Sequence, residues 1–376
     1  MIKTLDIDLS FMPYIQRPPE SPQKLYEKAC TSDEVTINTW REIWKKNIKA
    51  NHEKYGPFAA NGIGQLFGKE RLKPCIIVGS GPSLKVNVDE LKDTAGIPLI
   101  SVLHNYHYLE DRGIKPDYYV SLDAGEVVIE EMWEGGSKTP QEYFESTKDK
   151  TLLAFVGSSP RLLEAWKGKV IWFSAPIPDK PLMDEIKQVE DFNHLVSTGG
   201  NVLGACFYIA KAILCANPVI FTGADFSFSY DNKFHPWDSK YDKNLGHYQR
   251  ATDVFGMTRK TWPTYFQFKC WFESRVCRVP GLYINATEGG LLGAYPEGNI
   301  QQILQMSLKD AKAMYSIADQ MRVDFDSDEI LKVRERVQSP EAVERREKVT
   351  QLQAQIDQIK SDLVKDNQIE ERKILC

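Results

Sequence analysis

The sequence predicts an α/β fold: a mainly parallel sheet with helices on both faces, a helical N-terminal extension and a helical, coiled-coil C-terminal tail. Short apolar runs that end in glycine or polar residues are typical of strands buried on both faces. Helical segments separate these runs, and this alternation favours parallel pairing through crossover connections, as in a Rossmann-like core. The predicted strands lie at residues 74–78, 98–103, 118–122, 152–156, 170–173, 218–221 and 282–284, and the clearest helices at 88–93, 105–112 and 201–214.

The N-terminal part of the chain differs in composition from the predicted sheet domain, which spans residues 71–300. Residues 1–70 begin with a proline-rich segment and continue into a predicted amphipathic helix at residues 33–54. Its apolar residues recur at helical spacing, which predicts that it packs onto the core as a lid or an interface. The apolar stripe consists of Trp40, Ile43, Trp44 and Ile48.

Residues 301–376 form the predicted helical C-terminal region. Within residues 349–363, apolar residues follow the heptad pattern of a short coiled-coil seam. This seam predicts either a homo-oligomer or a helix folded back on the core. The seam residues are Val349, Leu352, Ile356, Ile359 and Leu363.

Charge and cysteine content exclude several classes of protein. The 52 acidic and 47 basic residues give a formal net charge of −5, which disfavours binding to duplex nucleic acid. The 7 cysteines are scattered without metal-site spacing, as in a cytoplasmic protein with reduced thiols. The sequence contains no signal-peptide pattern and no apolar run of about 18 residues, so we expect neither secretion nor a membrane span.

Two loops are rich in small residues: one follows the first predicted strand, at the sheet edge where ligands of parallel α/β sheets bind, and the other precedes the predicted helix at residues 201–214. Backbone N–H groups in such turns bind phosphate well, which favours a nucleotide-binding protein. The glycine spacing of the first loop matches neither the dinucleotide-binding nor the Walker pattern, so an ordinary strand-to-helix turn stays open as an alternative. The loops contain Gly79, Ser80, Gly81, Pro82 and Ser83, and Ser197, Thr198, Gly199, Gly200 and Asn201.

Single polar residues at other strand ends are further candidates for ligand binding. Asn105 and Asp123 follow the second and third predicted strands, where each is a candidate to hold a base, a ribose or a metal ion. Each residue type is also common as a helix cap or a turn residue. Glu288 lies in a turn of small residues after the last predicted strand, as a base, a ligand-orienting acceptor or a turn stabiliser.

The candidates for acid–base catalysis are two histidines and a carboxylate. Asp225 follows a buried strand, and His235 lies on the polar loop beyond it. Histidine titrates near neutral pH and suits a general base or acid, with a nearby carboxylate to orient it. His247 is the rival candidate on the same region of the chain.

Taken in order, these motifs resemble those of the motility accessory factor (Maf) family of flagellin glycosyltransferases. MptE-like 6-hydroxymethylpterin diphosphokinases share that domain. Each motif is short, and the resemblance is specific through their order and spacing. The similar segments lie at residues 78–84, 121–123, 198–202, 223–226, 230–235, 254–258 and 285–290.

A more distant resemblance is to bacterial sialyltransferases of family 42, which bind CMP-sialic acid. Their first loop has an asparagine where this chain has Ser80, and Asn105 matches a second nucleotide-contacting asparagine. The resemblance implies transfer of a sialic or pseudaminic type of sugar from a CMP donor to a hydroxyl of a protein, glycan or nucleobase acceptor. His235 would be the general base, assisted by Asp225 and Glu288, with no metal or other cofactor.

Two alternatives to glycosyl transfer remain. The first is pyrophosphoryl transfer from ATP to a hydroxymethyl group, as in the MptE-like enzymes, with Mg²⁺ held by Asp123 and Asp225. Those enzymes typically have two aspartates in the third-strand motif, whereas this chain has only Asp123 there. The second alternative is a non-catalytic module that retains the fold and acts in assembly.

Overall fold

A computed structural model of the chain describes residues 22–177, 179–189, 195–239, 246–276, 279–294 and 303–320, with side chains between residues 35 and 315. The described residues up to Ser316 belong to one compact unit. The predicted heptads at residues 349–363 lie outside the described residues, so the coiled coil and the homo-oligomer stay predictions. The domain boundaries at residues 70 and 300 also stay predictions. Within the described residues, no helix is both long and apolar enough to cross a membrane.

The predicted parallel sheet is present, and eight strands form it in the order β10-β9-β6-β1-β2-β3-β4-β5. Every neighbouring pair in this sheet is parallel. The remaining two strands, β7 and β8, form a separate antiparallel hairpin. The strands are β1 (Cys75–Val78), β2 (Leu99–Val102), β3 (Tyr118–Ser121), β4 (Thr151–Phe155), β5 (Lys169–Phe173), β6 (Val219–Thr222), β7 (Gln249–Thr252), β8 (Thr258–Thr261), β9 (Tyr283–Asn285) and β10 (Ile303–Gln305).

Helices cover both faces of the sheet, so every residue of β1, β2, β3 and β6 is buried. The predicted helix at 88–93 is a 3-10 turn, Val88–Lys92, and the predicted helix at 201–214 changes into a π-helical turn at Ile209–Ile213. The helices are α1 (Pro22–Tyr55), α2 (Leu84–Asn87), α3 (Tyr106–Glu110), α4 (Val127–Glu131), α5 (Pro140–Glu145), α6 (Pro160–Ala165), α7 (Lys180–Val189), α8 (Val202–Tyr208), α9 (Pro263–Val276) and α10 (Leu308–Gln320).

The strand order creates a crevice between β1 and β6. The chain adds β2 to β5 on one side of β1 and then returns to place β6 on its other side. The strand order thus reverses between β1 and β6, and in open parallel sheets ligands bind at such a switch point, beyond the carboxyl ends of the strands. The first of the two predicted small-residue loops, after Val78, begins there, and so does the segment after Thr222 that contains the predicted site residue Asp225.

Helix α1 is anchored by two buried asparagines. The Asn47 amide donates to the carbonyl oxygens of Ala124 (3.0 Å) and Gly157 (3.1 Å), in the loops that follow β3 and β4. The Asn51 amide donates to the loop after β4, at 2.9 Å from the carbonyl oxygens of Val156 and Ser158. The helix therefore lies against the carboxyl ends of these strands.

The sequence predicted the amphipathic helix, but the prediction of which side chains are buried was partly wrong. The helix begins at Pro22 rather than at residue 33. Ile48 is buried, but Ile43 is 39% exposed. The face that meets the sheet instead includes Asn47 and Asn51, because polar side chains there satisfy strand-end carbonyl groups that apolar side chains would leave unpaired.

The loops after β1 and β6 are in direct backbone contact. Gly79 N donates to Thr222 O at 2.8 Å, and Gly81 N donates to Gly223 O at 2.9 Å. A Cβ atom on Gly79 would lie 2.4 Å from the Gly223 carbonyl oxygen, and a Cβ atom on Gly223 would lie 2.4 Å from the Gly79 carbonyl oxygen. Only glycine at both positions allows this approach, which fixes the two loops relative to each other.

We expect Gly223→Ala to destabilise the fold much more than Gly113→Ala. Both glycines have a positive φ, +62° and +69°, but the Cβ position is open at Gly113. The backbone penalty, about 1 kcal/mol, is thus common to both variants, and the clash at Gly223 adds about 1–3 kcal/mol. Denaturant unfolding of the two variants measures the difference, and equal stabilities would contradict this account of the loop contact.

Candidate functional site

The crevice between β1 and β6 contains a cavity of about 380 Å³. The cavity brings together residues from the loop after β1, from the loop after β6 and from the start of α8. Its aromatic wall comes largely from α9 and the segment before it. Seven predicted site residues line the cavity: Gly79, Ser80, Gly81, Asp123, Asn201, Asp225 and His235. The aromatic residues that line it are Phe226, Phe234, Trp262, Tyr265 and Phe268.

Asp225 holds the first glycine loop to β6. Its side chain is 1% exposed, and its carboxylate accepts from Ser83 N at 3.2 Å and from Ser83 Oγ at 2.5 Å. Burial raises the pKa of Asp225 to about 6, although the Ser83 hydrogen bonds and the charge of Arg259 act in the opposite direction. Asp225 therefore changes charge close to neutral pH, and Ser83 faces Asp225 rather than the cavity.

Most amides of the first loop are already paired within the protein. The Gly79 and Gly81 amides donate to β6 and its loop, Pro82 has no N–H, and Ser83 N donates to Asp225. Among the described residues, this leaves the Ser80 N–H as the loop amide that a ligand can use. The glycines thus serve the contact between loops more than they serve phosphate binding.

His235 is fixed against the same loop. Its ring is 5% exposed, and Nδ1 lies 2.9 Å from the carbonyl oxygen of Ser80. Because a carbonyl oxygen only accepts, Nδ1 carries the proton, and the neutral ring then has its lone pair on Nε2. The ring also stacks on Trp237, with 4.7 Å between ring centroids and 10° between planes. This arrangement gives a histidine in the tautomer that a general base requires.

A second histidine, His104, lines the cavity and was not selected from the sequence. Its ring centroid lies 4.4 Å from that of His235, and its Nδ1 lies 3.8 Å from a carboxylate oxygen of Glu131. Burial, together with the neighbouring His235 and His107, holds the pKa of His104 well below its usual value. His104 is therefore neutral at pH 7. Its position directly after β2 was the signal available in the sequence.

Asp123 lies where two cavities adjoin. A second cavity, of about 780 Å³, shares Asp123 and Phe268 with the first. Solvent reaches the Asp123 side chain, but the surrounding walls exclude much of the bulk water, which raises the pKa of its carboxyl group. The second predicted loop divides between the two spaces: Asn201 lines the first cavity, while residues 197–200 line the second.

Three predicted residues lie outside both cavities and make internal contacts. Asn105 is buried, and its amide donates to Val78 O at 3.2 Å and Gly79 O at 2.9 Å, so it ties β2 to β1. Pro82 and Ser83 also do not line either space. In the described structure, these residues therefore make contacts within or next to the first loop instead of lining a cavity.

Glu288 and His247 are placed away from the cavities as well. The Glu288 carboxylate accepts from the Asn87 amide at 3.2 Å and from Leu308 N at 3.0 Å, which connects its turn to α2 and to the start of α10. His247 is exposed. Of the two histidines that the sequence offered as a base, only His235 reaches the cavity.

The carboxylates near the cavity do not form a metal site of the usual kind. In the part of the chain that the structure describes, no three His, Cys, Asp or Glu side chains are grouped so as to hold a metal ion. The Asp225 carboxylate is engaged by Ser83, and Asp123 has no second acidic partner in its motif.

Residues 46–231 match a family model described as 6-hydroxymethylpterin diphosphokinase MptE-like. These residues belong to the MptE-like family. The MptE-like segment contains β1 to β6, the two loops of small residues and Asp225, and it ends before His235. A solved Maf glycosyltransferase from Magnetospirillum magneticum AMB-1 is 16% identical, with a TM-score of 0.48, over 68% of this chain and 40% of that chain. This chain therefore spans less than half the length of that protein. No curated protein matches the sequence.

The raised pKa of Asp225 predicts a pH-dependent contribution to stability. Because its folded-state pKa of about 6 exceeds the ordinary value of 3.8, the native state binds the proton more tightly than the unfolded state. The stability that protonated Asp225 contributes is full below pH 4 and is lost as the pH rises through 6. The free energy of unfolding of the parent relative to Asp225→Asn should therefore fall across this range.

Denaturant unfolding of both proteins at several pH values between 4 and 8 tests this expectation. His104 and His107 are present in both proteins, so their effects cancel in the difference. Asp184→Asn, which removes an exposed carboxylate on α7, controls for the loss of a charge. A difference between parent and Asp225→Asn that stays constant with pH would contradict the assignment.

Proposed function

We propose that this chain is a nucleotide-dependent transferase that moves a nonulosonic sugar, of the sialic or pseudaminic type, from a CMP donor to an acceptor hydroxyl. The observation that carries the proposal is the position of His235, anchored by the Ser80 carbonyl inside the switch-point cavity. The histidine, the first loop and the start of α8 thus face one space. A donor bound by the first loop and the start of α8 would have a general base beside it.

His235 acts as the general base on the acceptor hydroxyl. With its proton on Nδ1 and the Ser80 carbonyl as acceptor, Nε2 takes the hydroxyl proton as the acceptor oxygen attacks the sugar carbon, and CMP leaves. The Ser80 carbonyl then stabilises the imidazolium, because it accepts from the charged ring. Asp225 keeps the loop that carries Ser80 in place, and is a positioning residue in this mechanism.

The charge of the cavity favours a donor with few phosphates. Its lining contains the carboxylates of Asp123, Glu131 and Asp225, and no lysine or arginine among the described residues. A CMP-nonulosonate carries about two negative charges, one on its phosphate and one on its sugar carboxylate, whereas ATP carries about four and meets stronger repulsion from these carboxylates. The aromatic wall that includes Tyr265 and Phe268 offers ring faces on which a nucleobase can stack.

Pyrophosphoryl transfer from ATP to a hydroxymethyl group is the second candidate, because the matching family model is named for a diphosphokinase. That reaction uses Mg²⁺, and Asp123 and Asp225 are the carboxylates available in the cavity. These two residues do not fit a metal site well, since Ser83 occupies Asp225 and no third ligand is grouped with them in the described residues. We therefore derive no step through a metal.

A thermal-shift panel separates these functions. We expect CMP, without metal, to raise the melting temperature, because a ligand that binds only the native state stabilises it. CDP, UDP, GDP, ATP and AMP, each with and without Mg²⁺, serve as comparisons. Stabilisation by ATP with Mg²⁺ alone would contradict the glycosyltransferase and support the diphosphokinase. The absence of any nucleotide effect would support a non-catalytic module.

We expect His235→Gln to lower kcat for sugar transfer by about 10²–10⁴-fold, the usual effect of removing a general base. CMP should still stabilise the variant, because the first loop and the start of α8 remain. His247→Gln is the matched control, since it removes an exposed histidine outside both cavities and should leave kcat unchanged. Steady-state kinetics with a CMP-nonulosonate donor provide the measurement, and equal rates for the two variants would exclude His235 as the base.

A further inference from the structure

The second cavity has no role in the chemistry described so far. Its volume of about 780 Å³ is large enough for an entire small ligand. It adjoins the switch-point cavity, because Asp123 and Phe268 line both spaces. A ligand in the second cavity can therefore extend one end towards the first.

Aromatic rings line this cavity from two separate helices. Trp40 and Trp44 come from α1, while Phe268 and Trp271 come from α9. All four rings are partly exposed rather than buried in the core. Aromatic faces on two walls suit a flat or ring-shaped ligand that can stack against them.

Two of these rings are held in place by glycines. Three atoms of the Trp271 ring system would lie 2.4–2.6 Å from a Cβ atom on Gly199, so the face of the indole packs on that glycine. The edge of Trp40 packs on Gly125, with 3.0 Å to its would-be Cβ atom. The walls are thus fixed before a ligand arrives, which lowers the entropic cost of binding.

The polar lining is rich in hydroxyl groups and contains a single ionisable side chain among its described residues. Thr36, Thr198, Thr264 and Gln267 supply groups that both donate and accept hydrogen bonds. Among its described lining residues there is no lysine, arginine or histidine, and Asp123 is the one carboxylate. This lining fits a ligand with many hydroxyl groups and no negative charge.

We propose that the second cavity binds a neutral saccharide, the acceptor of the proposed transfer. Sugar rings present C–H faces that stack on aromatic side chains, and their hydroxyl groups match the mixed donors and acceptors of the threonines and Gln267. The Asp123 carboxylate, where the cavities adjoin, accepts from the hydroxyl that is to be glycosylated and directs it towards His235. The identification of this saccharide as the acceptor rests on the proposed function, whereas the saccharide site itself does not.

The test measures direct binding of saccharides to the purified full chain by saturation-transfer NMR and tryptophan fluorescence. The probes are methyl glucoside, methyl galactoside, methyl mannoside, maltose and lactose, with lactose 3′-sulfate as the anionic match to lactose. We expect at least one neutral saccharide to bind. The sulfated form should bind at least about tenfold more weakly than lactose, since the lining offers the sulfate a carboxylate and no cation.

Variants assign the binding to this cavity. Trp40→Ala and Gln267→Ala should each weaken saccharide binding by about tenfold, the loss expected for one stacked ring or one hydrogen-bond pair. Phe67→Ala, which removes an exposed aromatic side chain that lines neither cavity, is the control. The thermal shift induced by CMP, retained in each variant, shows that the fold and the first cavity are intact.

Each outcome has a separate meaning for the two proposals. Absence of saccharide binding while CMP still stabilises the protein would overturn the saccharide site and leave the proposed transferase. Equal binding of lactose and its sulfate, or binding unaffected by Trp40→Ala, would also overturn it. Preferential, Trp40-dependent binding of 6-hydroxymethylpterin would overturn it in favour of a flat heterocycle. Saccharide binding without any nucleotide effect would support the site and overturn the transfer reaction.

Discussion

The contact between the loops after β1 and β6 is the constraint on which the candidate site depends. Gly79 and Gly223 approach so closely that no side chain fits at either position, and the Asp225 carboxylate adds hydrogen bonds to Ser83. This contact closes the floor of the switch-point cavity. It also places the Ser80 carbonyl where it orients His235. Phosphate-binding loops and loop-to-loop contacts both use glycine, and here most loop amides serve the contact.

Burial tunes the ionisable groups that surround this floor towards their neutral forms. It raises the pKa of Asp225 to about 6 and holds that of His104 well below its ordinary value. Both effects have one cause, since a low-dielectric site disfavours charge of either sign. A neutral His104 lies beside His235 and adds no positive charge to it at neutral pH. The cavity therefore combines a histidine held by the Ser80 carbonyl with one carboxylate, Asp225, whose charge depends on pH close to neutrality.

Helix α1 is part of the site rather than an accessory to it. Asn47 and Asn51 bind carbonyl groups at the carboxyl ends of the sheet, and this anchoring brings Trp40 and Trp44, earlier on the same helix, to the second cavity. The family match begins at residue 46, so these two tryptophans lie outside the MptE-like segment. The second cavity thus includes side chains from a part of the chain that the family match does not cover.

The sequence by itself determined seven of the eight strands of the parallel sheet, their parallel pairing and the two loops of small residues, because buried apolar runs and turn residues are local signals. It did not predict β10 or the β7–β8 hairpin. Asp225, His235 and Asp123, which were selected from the sequence, all line the switch-point cavity. Tertiary structure decided the rest: it separated His235 from the exposed His247, turned Asn105 and Glu288 into internal connectors, and added His104. It also put Asn47 and Asn51, instead of the predicted Ile43, on the buried face of α1. The physical reason is that a side chain's role depends on which distant backbone groups it meets, and local spacing along the chain does not specify those groups.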